Sequence, residues 1–120
     1  MLEIKLEKDA EMLEKAYRKF GLSCPPRGIS VLLFSDGEIA GAARLSFDGE
    51  TAFLEEIKPE GESGEADFFL RAILYKLSLT DATVAIRRFD ERFFKFGFKK
   101  EGGGMRARGN EIVFPSVCGG

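Results

Sequence analysis

Histidine is missing from all 120 residues of this chain. Its absence removes imidazole general bases, histidine triads and histidine metal ligands from consideration. Cysteine is scarce: Cys24 and Cys118 stand far apart and outside any Cys-x-x-Cys spacing. A zinc site needs about four clustered ligands, and none cluster here, so no metal is expected and the thiols read as reduced. No apolar run approaches the roughly 18–20 residues that span a bilayer. The first seven residues alternate like a strand and lack a signal-peptide core, so a cytoplasmic protein is expected. Nor is there an excess of positive charge. A net charge of −2 gives no general basic field for nucleic acid or an anionic membrane.

What is present is apolar and rich in phenylalanine. Hydrophobic residues make up 44% of the chain, and 12 of its 14 aromatics are Phe. That composition and length fit a single domain over residues 1–120 with a real core.

The central stretch runs from Phe53 to Leu77. An apolar strand, Thr51–Ile57, is followed by a glycine-bearing turn and an apolar helix in which Phe69, Ile73 and Leu77 form the buried stripe. A helix that starts in such a turn aims unpaired N–H groups at one spot, which suits an anion such as phosphate. The same turn carries Glu60, Glu62, Glu65 and Asp67, which work against that attraction. Like charges about 4 Å apart repel by on the order of 1 kcal/mol in water and more near a protein surface. A helix terminus offers an anion only about 0.3–1 kcal/mol. Lys58 and Arg71 are the nearby cations available to compensate.

Around this centre the chain reads as follows. Leu2, Ile4 and Leu6 share one strand face. Asp9 caps a helix with Leu13, Ala16, Tyr17 and Phe20 on one side, closed by Gly21. Ile29–Phe34 is a nearly continuous apolar run and is expected to be buried on both faces. Turns at Ser35–Glu38 and Asp48-Gly49 make a meander of it with Ile39–Phe47 and Thr51–Ile57. Gly41 and its alanine neighbours leave room for another element or a ligand to approach. After the helix, Ala82–Ile86 is a strand parallel to Thr51–Ile57, because a strand–helix–strand crossover favours that arrangement. Asp90 caps a short helix over Glu91–Phe96, with Phe89 and Phe94 as a hydrophobic staple. Phe98–Glu101 and Glu111–Val117 are expected to form a last hairpin, with Met105–Arg108 as an edge strand kept soluble by its arginines. The fold class is therefore α/β (α+β): a mixed, mostly antiparallel sheet with one parallel crossover and three flanking helices.

This order, with three local motifs, resembles the GNAT superfamily of acyl-CoA-dependent N-acetyltransferases. The motifs are Ser35–Ala43, with its glycine after a hairpin turn; Leu54–Glu60 running into Gly61–Ala66; and Phe93–Phe98, similar to the family's Tyr-x-x-x-Gly-Phe close. The resemblance implies acetyl-CoA as cofactor, lying between the Thr51–Ile57 and Ala82–Ile86 strands. Its diphosphate would meet Gly61, Gly64 and Ala66, and its amide arm would pair with the backbone around Ile57 and Lys58. Glu55 or Glu56 would be the general base, with a pKa raised by a partly apolar setting. The acceptor would be the amine of a small molecule or peptide. A homodimer is compatible with the sequence.

Two departures stand against the family pattern. The Arg or Gln that opens the phosphate loop is absent, and Phe93 stands where the family often has a tyrosine acid; Phe has no proton to give. They leave an alternative: a non-catalytic relative that uses the fold to bind a ligand or a protein. Arg87, Arg88 and Arg92 read as a solvated charge group, or as a cradle for an acidic substrate or a phosphate. Cys118 has no basic partner beside it in sequence and is a poor nucleophile.

Overall fold

A computed structural model describes residues 1–22, 28–61 and 63–114. Seven strands form one sheet: β1 (Leu2–Glu7), β2 (Ile29–Ser35), β3 (Glu38–Asp48), β4 (Thr51–Lys58), β5 (Thr83–Ile86), β6 (Lys99–Glu101) and β7 (Gly104–Arg108). Their order across the sheet is β1-β2-β3-β4-β5-β7-β6. Only β4 and β5 run parallel; the other neighbours are antiparallel. The flanking helices are α1 (Ala10–Lys19), α2 (Gly64–Ser78) and a 3₁₀ helix, Glu91–Phe96; one further 3₁₀ turn covers Gly109–Glu111. No helix among the described residues is long and apolar enough to cross a membrane.

The two faces of the sheet are covered differently. β2 alternates between them, as expected of a strand apolar on both sides. Val31 and Leu33 pack with Phe69, Ile73 and Leu74 of α2, whereas Leu32 packs with Ala16 and Tyr17 of α1. The larger core lies under α2, and each fully buried Leu, Ile or Phe there contributes about 1.5–3 kcal/mol. On the other face the buried Tyr17 hydroxyl is 2.9 Å from Ser30 Oγ, which satisfies both polar groups in an apolar layer. Asp9 caps α1 by accepting from the Glu11 amide at 2.9 Å. The Phe89 and Phe94 rings meet edge to face at 5.5 Å, as the staple requires.

Gly41 has the role its small size suggested. A Cβ there would lie 2.7 Å from the Lys58 carbonyl oxygen and 3.1 Å from the Phe69 ring. The bare backbone lets the end of β4 and the start of α2 close on β3.

The C-terminal part differs from the sequence reading. β6 pairs with Gly104–Arg108, not with Glu111–Val117. Met105–Arg108 is an inner strand between β5 and β6, and β6 is the edge. Two facts explain this. Met105 and Ala107 alternate with Arg106 and Arg108, so one face of β7 joins the α2 core while the arginines face outward. Gly104 then lets β7 press against β5, since a Cβ there would lie 2.1 Å from the Ile86 carbonyl oxygen. Glu111 belongs to the 3₁₀ turn, and Val113 donates its amide to the Phe96 carbonyl at 2.9 Å. Residues 115–117 of the expected strand, and Cys24 and Cys118, lie outside the described residues.

Gly104→Ala is therefore expected to destabilise the protein by about 2–4 kcal/mol, the range of a backbone clash that packing cannot relieve. Urea unfolding monitored by circular dichroism checks this, with the m-value unchanged.

Candidate functional site

β4 and β5 begin together and then part. Their parallel pairing covers Thr51 with Thr83, Ala52 with Val84 and Phe53 with Ala85, and stops there. β4 continues to Lys58 paired only with β3. Between the diverging ends lies a cavity of about 460 Å³, lined by Leu54–Lys58 on one side and Ile86–Arg88 on the other. Phe93 lines it too and is 2% exposed, its ring edge-on to Phe98 at 5.1 Å.

The parting coincides with a β-bulge. Arg44 is opposite Glu56, but the next β3 residue, Leu45, is opposite Leu54, so Glu55 is an extra residue on β4. The extra residue resets the alternation. Leu54 and Ile57 both reach the α2 core, and Glu55 and Glu56 both project on the opposite face and line the cavity. Strict alternation would have put one glutamate on each face. The signal was legible in Leu54-Glu55-Glu56-Ile57, where apolar residues three apart interrupt a period of two.

The two carboxylates have different surroundings. Glu55 is held by Arg87, whose Nε and Nη2 donate to Oε1 at 2.6 Å and Oε2 at 3.1 Å. Ser46 Oγ donates to Oε2 at 2.6 Å. The Arg87 guanidinium also lies 4.0 Å over the Phe53 ring. These hydrogen bonds, that of Arg87 first, outweigh burial and hold the Glu55 carboxyl below the ordinary glutamate range. The raised value expected from an apolar setting is not found, because the sheet supplies charged and hydroxyl partners. Glu56 is less constrained; its one ion pair among the described residues is with Arg44 at 3.7 Å.

The mouth of the cavity is crossed by arginines. Arg88 reaches Glu60 at 3.0 Å, and Arg92 donates to the Gly61 carbonyl at 2.8 Å. Lys58 joins Glu60 at 3.1 Å, and Lys58 and Arg88 together hold the Glu60 carboxyl below its usual range. Asp90 is lowered by Arg92, which it accepts at 2.7 Å. The group read as solvated arginines thus ties the segment after β5 to the turn after β4.

α2 starts at Gly64, earlier than the sequence pattern implied, so Gly64 and Ala66 belong to its first turn. Ser63 is the cap: its Oγ accepts from the Ala66 amide at 3.2 Å, and its carbonyl accepts from Asp67 at 2.9 Å. The Gly64 and Glu65 amides remain without a helical acceptor. A Cβ on Gly61 or Gly64 would meet nothing within 4 Å. Glu65 lines a separate hollow with Lys19 and Ala40, away from the β4–β5 cavity. Arg71 pairs with one of the turn's acids, Asp67, at 2.7 Å and lies over the Phe96 ring. Glu62 lies outside the described residues.

No family model matches the sequence, and no curated protein matches it significantly. Solved structures do match. The coenzyme A-bound YhhK of Escherichia coli aligns over 90% of this chain and 98% of its own, at 15% identity and a TM-score of 0.63. A GNAT family acetyltransferase from Brucella melitensis in complex with acetyl-CoA aligns over 90% of this chain and 88% of its own, at 16% identity and 0.64. The ribosomal-protein-S18-alanine N-acetyltransferase of Escherichia coli aligns over 98% and 97%, at 15% and 0.63. The chain has the GNAT fold. Within that fold the bulge at Glu55 and the parting of β4 from β5 sit at the middle of the sheet, flanked by α1 on one face and α2 on the other.

Because the folded value of Glu55 is depressed, its contribution to stability is complete above the ordinary value of about 4.5 and is lost as pH falls through the lower folded value. Arg87→Gln is expected to move the Glu55 titration midpoint upward and to flatten the acid limb of the stability curve. Carboxyl-carbon NMR titration of both proteins checks this; an unchanged midpoint refutes the assignment.

Proposed function

We propose that this protein is an acyl-CoA-dependent N-acyltransferase that moves an acetyl group onto an amine. The observation that carries the reading is the parting of β4 from β5 after Phe53 and Ala85, which leaves a cavity lined by unpaired strand edge in a GNAT-fold sheet. The residues present fit coenzyme A. β4 from Glu56 to Lys58 offers backbone groups to an extended amide arm, as an added strand does. The first-turn amides of Gly64 and Glu65 would take the diphosphate from outside the cavity's own lining, and Arg88 and Arg92 in that lining are already paired with Glu60 and Asp90. The bound thioester supplies an activated acetyl group. Metal plays no part in this reading.

Glu56 is the better general base of the pair. It lines the cavity and takes the proton from the acceptor amine, directly or through one water. Glu55 acts as a positioning residue, since its carboxylate is committed to Arg87 and Ser46. Phe93 closes the inner wall and has no proton to offer, so the leaving thiolate takes its proton from water. Most of the acceleration comes from placing the amine against the thioester. The acceptor is the amine of a small molecule or a peptide, and the protein works in the cytoplasm.

A second reading has a specific basis. Arginine contacts cross the mouth, and the turn beside it is acidic. Those features favour a non-catalytic binder of a different ligand or a protein. Calorimetric titration with acetyl-CoA separates the two. The enzyme reading expects saturable binding at micromolar to millimolar ligand. With an identified acceptor amine, Glu56→Gln should then lower kcat by about 10²-fold, with acetyl-CoA affinity unchanged. Binding that emerges only in the Glu62→Arg, Glu65→Lys double variant establishes the second reading instead.

A further inference from the structure

α2 is one helix, about 10–12 Å wide with its side chains, and lies over a sheet of seven strands that is about 29 Å across. One helix of that width leaves part of the apolar face bare. Among the described residues the bare part is at the β1 side. Pairing sets Ile4 and Leu6 of β1, Ile29 and Val31 of β2, and Leu45 and Phe47 of β3 side by side on one face. Ile73 and Leu77 of α2 stand above them as a wall. Together they enclose a cavity of about 570 Å³, larger than the one between β4 and β5. Val31 and Leu45 on its floor are buried and Ile4 and Ile29 half-buried, while Leu6 is 56% exposed and Phe47 52% exposed at its opening.

The charges around it have one sign. Lys5 and Lys76 are the only charged residues among the described lining, and no acid lines it. Lys5 leans towards Glu7 at 3.9 Å. Lys76, on the exposed side of the last turn of α2, has no acidic partner among the described residues. A deep apolar cavity with one cation at its rim matches a molecule with a long apolar chain and an anionic head. A second copy suits it less well, because a two-fold contact sets a patch against itself and would bring these lysines towards each other.

We propose that this cavity binds a single-chain anionic amphiphile, a long-chain carboxylate, with the chain along the β1–β3 floor and the head at Lys76. The site is on the face and end of the sheet away from Glu55 and Glu56, and it stands whether or not the protein transfers acyl groups.

The test uses the full chain with laurate, dodecanol and dodecyltrimethylammonium, each below its micellar concentration, followed by methyl NMR spectra. Laurate is expected to bind saturably, with shifts confined to the methyls of Ile4, Val31, Leu45, Ile73 and Leu77. Decanoate should bind about tenfold more weakly for its two fewer methylenes. Lys76→Glu, at an exposed position, should weaken laurate about tenfold and leave dodecanol within about twofold. Equal affinity for laurate and dodecyltrimethylammonium overturns the proposal, as do shifts scattered over the molecule. It also fails if light scattering shows a dimer that laurate does not dissociate and those methyls do not respond.

Discussion

The hydrogen-bond ladder between β4 and β5 lasts three residues, and the rest of the site depends on its stopping there. A parallel neighbour that followed β4 in register as far as Lys58 would fill the sheet and leave no cavity. The stop follows from the bulge at Glu55: one extra residue bends β4, increases its twist and ends its fit to the strand beside it. β3 keeps hold of β4 on the other side through the gap at Gly41, so β4 bends away from β5 without leaving the sheet.

Charge then organises around that opening. Glu55 with Arg87, Glu56 with Arg44, Glu60 with Arg88 and Lys58, and Asp90 with Arg92 set each acid beside a base. The cavity is polar yet near neutral, which lowers the cost of bringing charged groups together in a partly buried place. Most of these pairs are exposed enough for water and salt to weaken them, so they orient side chains more than they stabilise the fold. Arg87 is the exception in geometry: two hydrogen bonds to Glu55 and the Phe53 ring beneath it fix its guanidinium in one pose.

Much of the architecture was readable from periodicity and turn chemistry. The meander from Ile29 to Ile57, the crossover helix, the parallel strand after it and the capped helix at Asp90 all follow from local pattern, and the structure contains each of them. The last hairpin was misread because Gly102-Gly103-Gly104 and Gly109-Asn110 are equally good turn signals. The fit of Gly104 against the Ile86 carbonyl, with Met105 and Ala107 facing the α2 core, decides which segment enters the sheet. The site was legible as a list of residues but not as an arrangement. Glu55 and Glu56 stood out as a pair, yet strict alternation would put them on opposite faces, and the carboxyl of Glu55 is lowered by Arg87 rather than raised by an apolar setting. Arg87, 32 residues from Glu55, could not be linked to it by spacing at all.

By itself, the sequence determined the kinds of element and the chemistry left out. A period of two or about 3.6 in apolar residues is a local property, and the lack of histidine excludes imidazole chemistry whatever the fold. The tertiary structure alone decided where β4 leaves β5, which carboxylate is tied down, and which apolar residues of β1–β3 line a cavity among the described residues. Each of these depends on groups that are distant in the chain meeting within a few ångströms, and that distance is set by packing of the whole sheet rather than by neighbours in sequence.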